Sequence, residues 1–329
     1  MKAIKTLAMA ALATAVFASC SSEDELAQNN YPMDNVVRIM TSVDGMNTRA
    51  SYGNSTDKLN SFGFCIKNAN SETYTYDNVK VTKEGSNWNP ATQMLWQNST
   101  TAVDILAYAP YQETTEDANG KVNVFGKTDY AFSVKEDQSN AEDYSSDLIV
   151  YKKTGFKPES DLNTNQAVDV TFTHLLSQLN LTIELRDQFN QDEKKPVTSA
   201  TVTDVKVDGT FIRSKVNFAA DPISVLRDGH ASTAITPETV AFKKADKTTD
   251  HATFKYSAIV IPQKVIVGQL CIKFKVDGTD YIWTGTSDVE FVSGKKYDLL
   301  LLVGKDVVQG GTISATPWGD GGTGSLETD

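Results

Sequence analysis

The side chain best placed for chemistry in this 329-residue chain is a thiol near its start, Cys20. It follows Phe17-Ala18-Ser19, and the small residues Ala18 and Ser19 let a peptidase approach the backbone just before the cysteine. A cut there leaves a thiol on the new N-terminal residue, able to form a thioether to a diacylglycerol. The second candidate is the Arg49-Ala50 bond, in the polar stretch Asp44-Gly45-Met46-Asn47-Thr48-Arg49-Ala50. Exposed stretches of this type are preferred nicking sites, and an arginine there suits an Arg-specific protease. Both sites point to covalent processing of the chain.

No catalytic constellation accompanies them. The chain has three histidines, and His174 lies in an apolar segment, where a packed ring bonded to backbone is expected. His230 and His251 lie in polar segments. No G-x-S-x-G, H-E-x-x-H, EF-hand or Walker sequence occurs, and the cysteines lack metal-ligand spacing. Gly319-Asp320-Gly321-Gly322-Thr323-Gly324 imitates a phosphate loop but opens no helix. The expectation is a non-enzyme with no catalytic residues, no metal and no cofactor.

The segments around Cys20 fit export. Lys2 and Lys5 form a positive start, and residues 6–18 are apolar or small without a charge. About 13 residues suit a signal-peptide core and fall short of a helix spanning the ~30 Å hydrocarbon layer. The Phe17–Cys20 junction resembles a bacterial lipobox, with Phe17 where leucine is usual. The acidic run Ser21-Ser22-Glu23-Asp24-Glu25 resembles the surface-export signal of Bacteroidota lipoproteins. Residues 1–19 then form a signal peptide. Residues 20–49 form a lipid tether plus a first strand at 35–43, and the lipid ties the chain to the outer membrane.

The formal net charge is −11. Loss of Lys2 and Lys5 with the signal would leave −13, a surface that repels nucleic acid. A hydrophobic content of 40% is enough for packed cores. Period-two apolar patterning cut by turn residues runs through the chain, as in 168–172, 179–185, 254–261, 270–276 and 296–303. Asp277-Gly278 between two such runs is the clearest hairpin signal. A short helix is expected around 174–178. Many short strands with regular turns imply an all-β protein of antiparallel sandwiches. The polar stretch 155–166 marks a boundary between an N-terminal β-sandwich domain (50–165) and a C-terminal one (166–329). Cys65 and Cys271 lie in separate strands and are expected as buried free thiols.

Four segments, in order, resemble the fimbrillin family, the type V pilins of Bacteroidota. They are Trp96-Gln97 leading to Val103-Asp104-Ile105-Leu106-Ala107-Tyr108-Ala109-Pro110, then Ser146-Asp147-Leu148-Ile149-Val150-Tyr151. Val168-Asp169-Val170-Thr171-Phe172-Thr173-His174-Leu175-Leu176-Ser177-Gln178-Leu179 follows. The last is Phe291-Val292-Ser293-Gly294-Lys295-Lys296-Tyr297-Asp298-Leu299, running on to Ile313 and Pro317-Trp318. The resemblance implies two tandem transthyretin-like β-sandwich domains. It also implies a lipoprotein precursor whose first strand is removed by an Arg-specific surface protease, so that a strand of another pilin subunit fills the vacated groove. Other pilin subunits, that protease, the outer membrane and a host or bacterial surface ligand are the implied partners.

One departure stands out. After Trp318 only a glycine-rich acidic tail remains, with no apolar alternation to donate. A donor strand would have to come from residues 303–315, leaving stalk, tip and anchor roles open. The alternative reading is a surface glycan-binding β-sandwich lipoprotein, in which Trp88, Trp96, Trp283 or Trp318 stack on sugar rings.

Overall fold

The computed structural model describes residues 30–43, 56–113, 123–190, 196–229, 231–245 and 251–318. In chain order its strands begin with β1 (Arg38–Val43), β2 (Ser61–Lys67), β3 (Tyr76–Glu84), β4 (Asn87–Pro90) and β5 (Val103–Ala109). Next come β6 (Tyr130–Ser133), β7 (Ile149–Phe156), β8 (Ala167–His174), β9 (Ser177–Leu185) and β10 (Val202–Asp208). Then follow β11 (Arg213–Asn217), β12 (Ser224–Arg227), β13 (Glu238–Lys243), β14 (Ala252–Val260) and β15 (Gln263–Val265). The last are β16 (Cys271–Val276), β17 (Thr279–Thr284), β18 (Val289–Phe291), β19 (Lys295–Val303), β20 (Val308–Gly310) and β21 (Ser314–Pro317). The chain is all-β, with short helical turns such as α1 (Pro158–Asp161) and α2 (Asp187–Asn190).

Alternation of side chains places these strands. In β8, Val168, Val170 and Phe172 are buried while Asp169, Thr171 and Thr173 face solvent, as the period of two requires. Asp277 (φ 52°) and Gly278 (φ 83°) both take the left-handed conformation, which a tight two-residue hairpin between β16 and β17 needs.

A seven-stranded sheet runs β1-β8-β7-β5-β2-β3-β4 and encloses one core, centred on Phe62, Phe64, Ile105, Val170 and Phe172. A second, larger core lies under the sheet β13-β14-β9-β19, whose far edge is made by β20 and β21 on β19. The three-stranded sheets β10-β16-β17 and β12-β11-β6 and the pair β15-β18 complete the fold.

Three findings differ from the sequence expectations. The helix expected at 174–178 is instead the end of β8, a two-residue link at Leu175 and Leu176, and the start of β9. Leu175 N–H donates to the Leu148 carbonyl and Gly294 N–H to the Leu176 carbonyl, so these groups serve long-range bonds. Two pairings are parallel, β1 with β8 and β9 with β19. The halves also interlock. β8, which follows the polar stretch 155–166, pairs into the first sheet, while β6 pairs with β11 of the second half.

Candidate functional site

The candidate site is β1 and the slot it fills. Residues 35–43 read Asn-Val-Val-Arg-Ile-Met-Thr-Ser-Val, with Val37, Ile39 and Val43 buried and Thr41 half-buried on the inward face, and Met40 and Ser42 exposed. Burying one such aliphatic side chain contributes roughly 1.5–3 kcal/mol, so the inward face is what holds the strand. β1 lies parallel to β8, from Arg38 opposite Ala167 to Val43 opposite Phe172. At its start Val37 N–H donates to the Met94 carbonyl (3.0 Å) and Trp96 N–H to the Asn35 carbonyl (2.8 Å).

β8 depends on β1 for most of its length. Only Thr173 and His174 pair with β7, opposite Val150 and Ile149. Across residues 167–172, β1 is the one ladder partner among the described residues. Beneath that stretch lie Val168, Val170 and Phe172, all buried in the first core.

β1 and β4 are the two edges of this sheet. They border a cleft of about 1090 Å³, lined by Ile39 and Thr41 of β1, by Trp88 and Met94, and by Lys83 and Asn165. Exposed contacts on β1 are polar and weak. Arg38 donates to both Asp34 carboxylate oxygens (3.1 and 2.5 Å), and those bonds hold the Asp34 carboxyl below the usual carboxylate range. Such an exposed pair contributes little. Ser42 and Thr171 hydroxyls meet at 3.0 Å, and the Asn163 and Asn165 amides each lie 3.4 Å from the Met40 sulfur.

The other end of the described chain is held differently. β20 and β21 pair with β19 through mostly exposed residues, and Trp318 behind them is 2% exposed. Its indole stacks on the His174 ring at 4.0 Å with an interplanar angle of 1°. His174 Nδ1 meets Asp147 Oδ1 at 2.9 Å, both side chains buried. The packed histidine was expected, and one of its ring nitrogens meets a buried carboxylate. Gly294, in the β18–β19 turn, accepts from the Trp318 N–H (2.8 Å).

Cys20, Arg49, Ala50 and His230 lie outside the described residues. Cys65 is a buried free thiol, pushed up by burial, and donates to Asp77 Oδ1 (3.0 Å). Cys271 is free too, but half-buried where full burial was expected. Three of the four tryptophans considered as a sugar platform are core residues: Trp96 and Trp318 are 2% exposed and Trp283 7%. Trp88 is partly exposed at the cleft and packs edge-on against Phe62. Sequence reasoning found β8 as a strand but missed its pairing with β1, and it missed the cleft residues Met94 and Lys83.

The family profile of fimbrillin-like proteins matches residues 48–318. The chain belongs to the fimbrillin-like family. Fimbrillins are structural, non-enzymatic proteins, and membership supports a fimbrial or adhesive role at the cell surface, in assembly with other pilin subunits. Among solved structures, a candidate cell adhesion protein from Bacteroides ovatus aligns with TM-score 0.60 at 12% identity, covering 86% of this chain and 97% of that one. One from Bacteroides uniformis gives 0.57 at 19%, covering 87% and 99%. A fimbrial protein from Bacteroides vulgatus gives 0.51 at 18%, covering 86% and 99%. At these identities the likeness is one of fold. No curated protein matches this fimbrillin-like chain by sequence.

Proposed function

We propose that this fimbrillin-like chain is a structural subunit of a fimbria, exported as a lipoprotein acylated on Cys20 and matured by cleavage between Arg49 and Ala50. Loss of residues 20–49 removes β1, and a strand from another subunit takes its place beside β8. The observation that carries this reading is the dependence of residues 167–172 on β1 alone. Without β1 that stretch presents unpaired N–H and C=O groups beside an apolar slot, a costly state that an added strand relieves. The lipid on Cys20 tethers the precursor to the outer membrane, and an Arg-specific surface protease releases it. We further read the two cores as two tandem transthyretin-like sandwiches, with β8 closing the first and β9 opening the second. The donor strand is supplied by another pilin subunit.

The test is digestion of the purified chain with an Arg-specific protease. Cleavage after Arg49, separation of the N-terminal fragment and SDS-resistant oligomers of the remainder are expected. A chain that is cut and stays monomeric with its fragment retained contradicts the proposal.

A further inference from the structure

The inward-facing positions of β1 are Val37, Ile39, Thr41 and Val43. Three are apolar. The fourth, Thr41, turns a hydroxyl toward the slot, and its Oγ1 is shielded from solvent with no hydrogen-bond partner among the described residues. Thr41 also lines the cleft between β1 and β4. A buried hydroxyl that gives up water and gains no partner costs free energy, whereas the same volume filled by a methyl group does not.

We infer that Thr41 is a built-in misfit that keeps β1 replaceable and selects its replacement. An incoming strand with valine or another branched aliphatic residue at the place of Thr41 matches the slot better than β1 does. Exchange then runs downhill toward the donated strand. The neighbouring inward positions show the contrast. Val37, Ile39 and Val43 are each buried among apolar partners of the first core, so a donor can equal them but gains nothing over them. The ligand is therefore an extended segment of a second pilin subunit, apolar at alternate positions, with a branched aliphatic side chain third in the inward series. This inference rests on the strand-exchange reading for its consequence, though the misfit is a property of the uncut chain.

Two measurements separate the layers. The first is hydrogen exchange on the full, uncut chain, comparing wild type with Thr41→Val and Thr41→Ser. Thr41→Val is expected to slow exchange of the β1 amides and of residues 167–172 about tenfold, the factor that corresponds to 1.4 kcal/mol. Thr41→Ser keeps the hydroxyl and loses the methyl group, so its exchange should be as fast as wild type or faster. Equal or faster exchange in Thr41→Val overturns the misfit, whatever becomes of the assembly proposal. The second is the rate at which the fragment ending at Arg49 leaves the protein after proteolysis. Release about tenfold slower from Thr41→Val supports the role in exchange. Slower hydrogen exchange with no release from either protein keeps the misfit, overturns its role in exchange, and counts against strand exchange itself.

Discussion

The two ends of the described chain are both sheet edges, yet they are held in opposite ways. β1 is held by side chains: Val37, Ile39 and Val43 enter the first core, and its leaving strips residues 167–172 of their ladder partner. β20 and β21 are held by backbone pairing on β19, with Trp318 the one deeply buried residue at that end. An edge of the first kind leaves a shaped apolar slot when it goes. An edge of the second kind leaves a bare ladder and one indole-sized hole. A fibre built by strand exchange needs a slot of the first kind, whereas the C-terminal segment leaves only by emptying the site of Trp318.

The largest effect expected from breaking this contrast is at Trp318. Trp318→Ala should cost about 3–5 kcal/mol in chemical denaturation, since it empties the stack on His174. Faster hydrogen exchange should be confined to β19–β21 and the His174 turn, leaving β1 protected. Ile39→Ala should cost about 2–5 kcal/mol and do the reverse, loosening β1 together with residues 167–172 while β19–β21 stay protected. Spread of either effect into the other region would erase the distinction. Gly310→Ala tests the C-terminal segment more finely. A Cβ there would sit 2.0 Å from the Trp283 indole nitrogen, so β20 or the indole must shift, at about 1–3 kcal/mol in thermal or chemical unfolding. Asp34→Asn should be the mildest: it removes an exposed ion pair beside β1, and its denaturation midpoint should stay close to that of wild type.

Much of this fold is legible in the chain because period-two burial shows directly in β8, β9 and β19, and because Asp277-Gly278 dictates its turn. β1 itself is readable as alternating Val37, Ile39 and Val43. Its partner is not. Pairing β1 with β8 brings Ser42 to Thr171, 129 residues away, and nothing local encodes a parallel ladder across that distance. Short edges such as β4 (Asn-Trp-Asn-Pro) and β12 (Ser-Val-Leu-Arg) escape notice because they carry too little alternation. The Leu175-Leu176 pair imitates a helical turn, and only tertiary hydrogen bonds to Leu148 and Gly294 make it a strand link. The misfit at Thr41 needs both levels: a β-branched residue is ordinary in a strand, and the cost of its hydroxyl shows only when the slot has no partner for it.

The central claim is that β1 is a temporary occupant of its slot. The most direct measurement is intact mass and N-terminal sequence of the protein taken from the native cell surface. A chain starting at Ala50, running as SDS-resistant ladders, is the predicted result. A chain that persists with an acylated Cys20 and an intact β1 would contradict it.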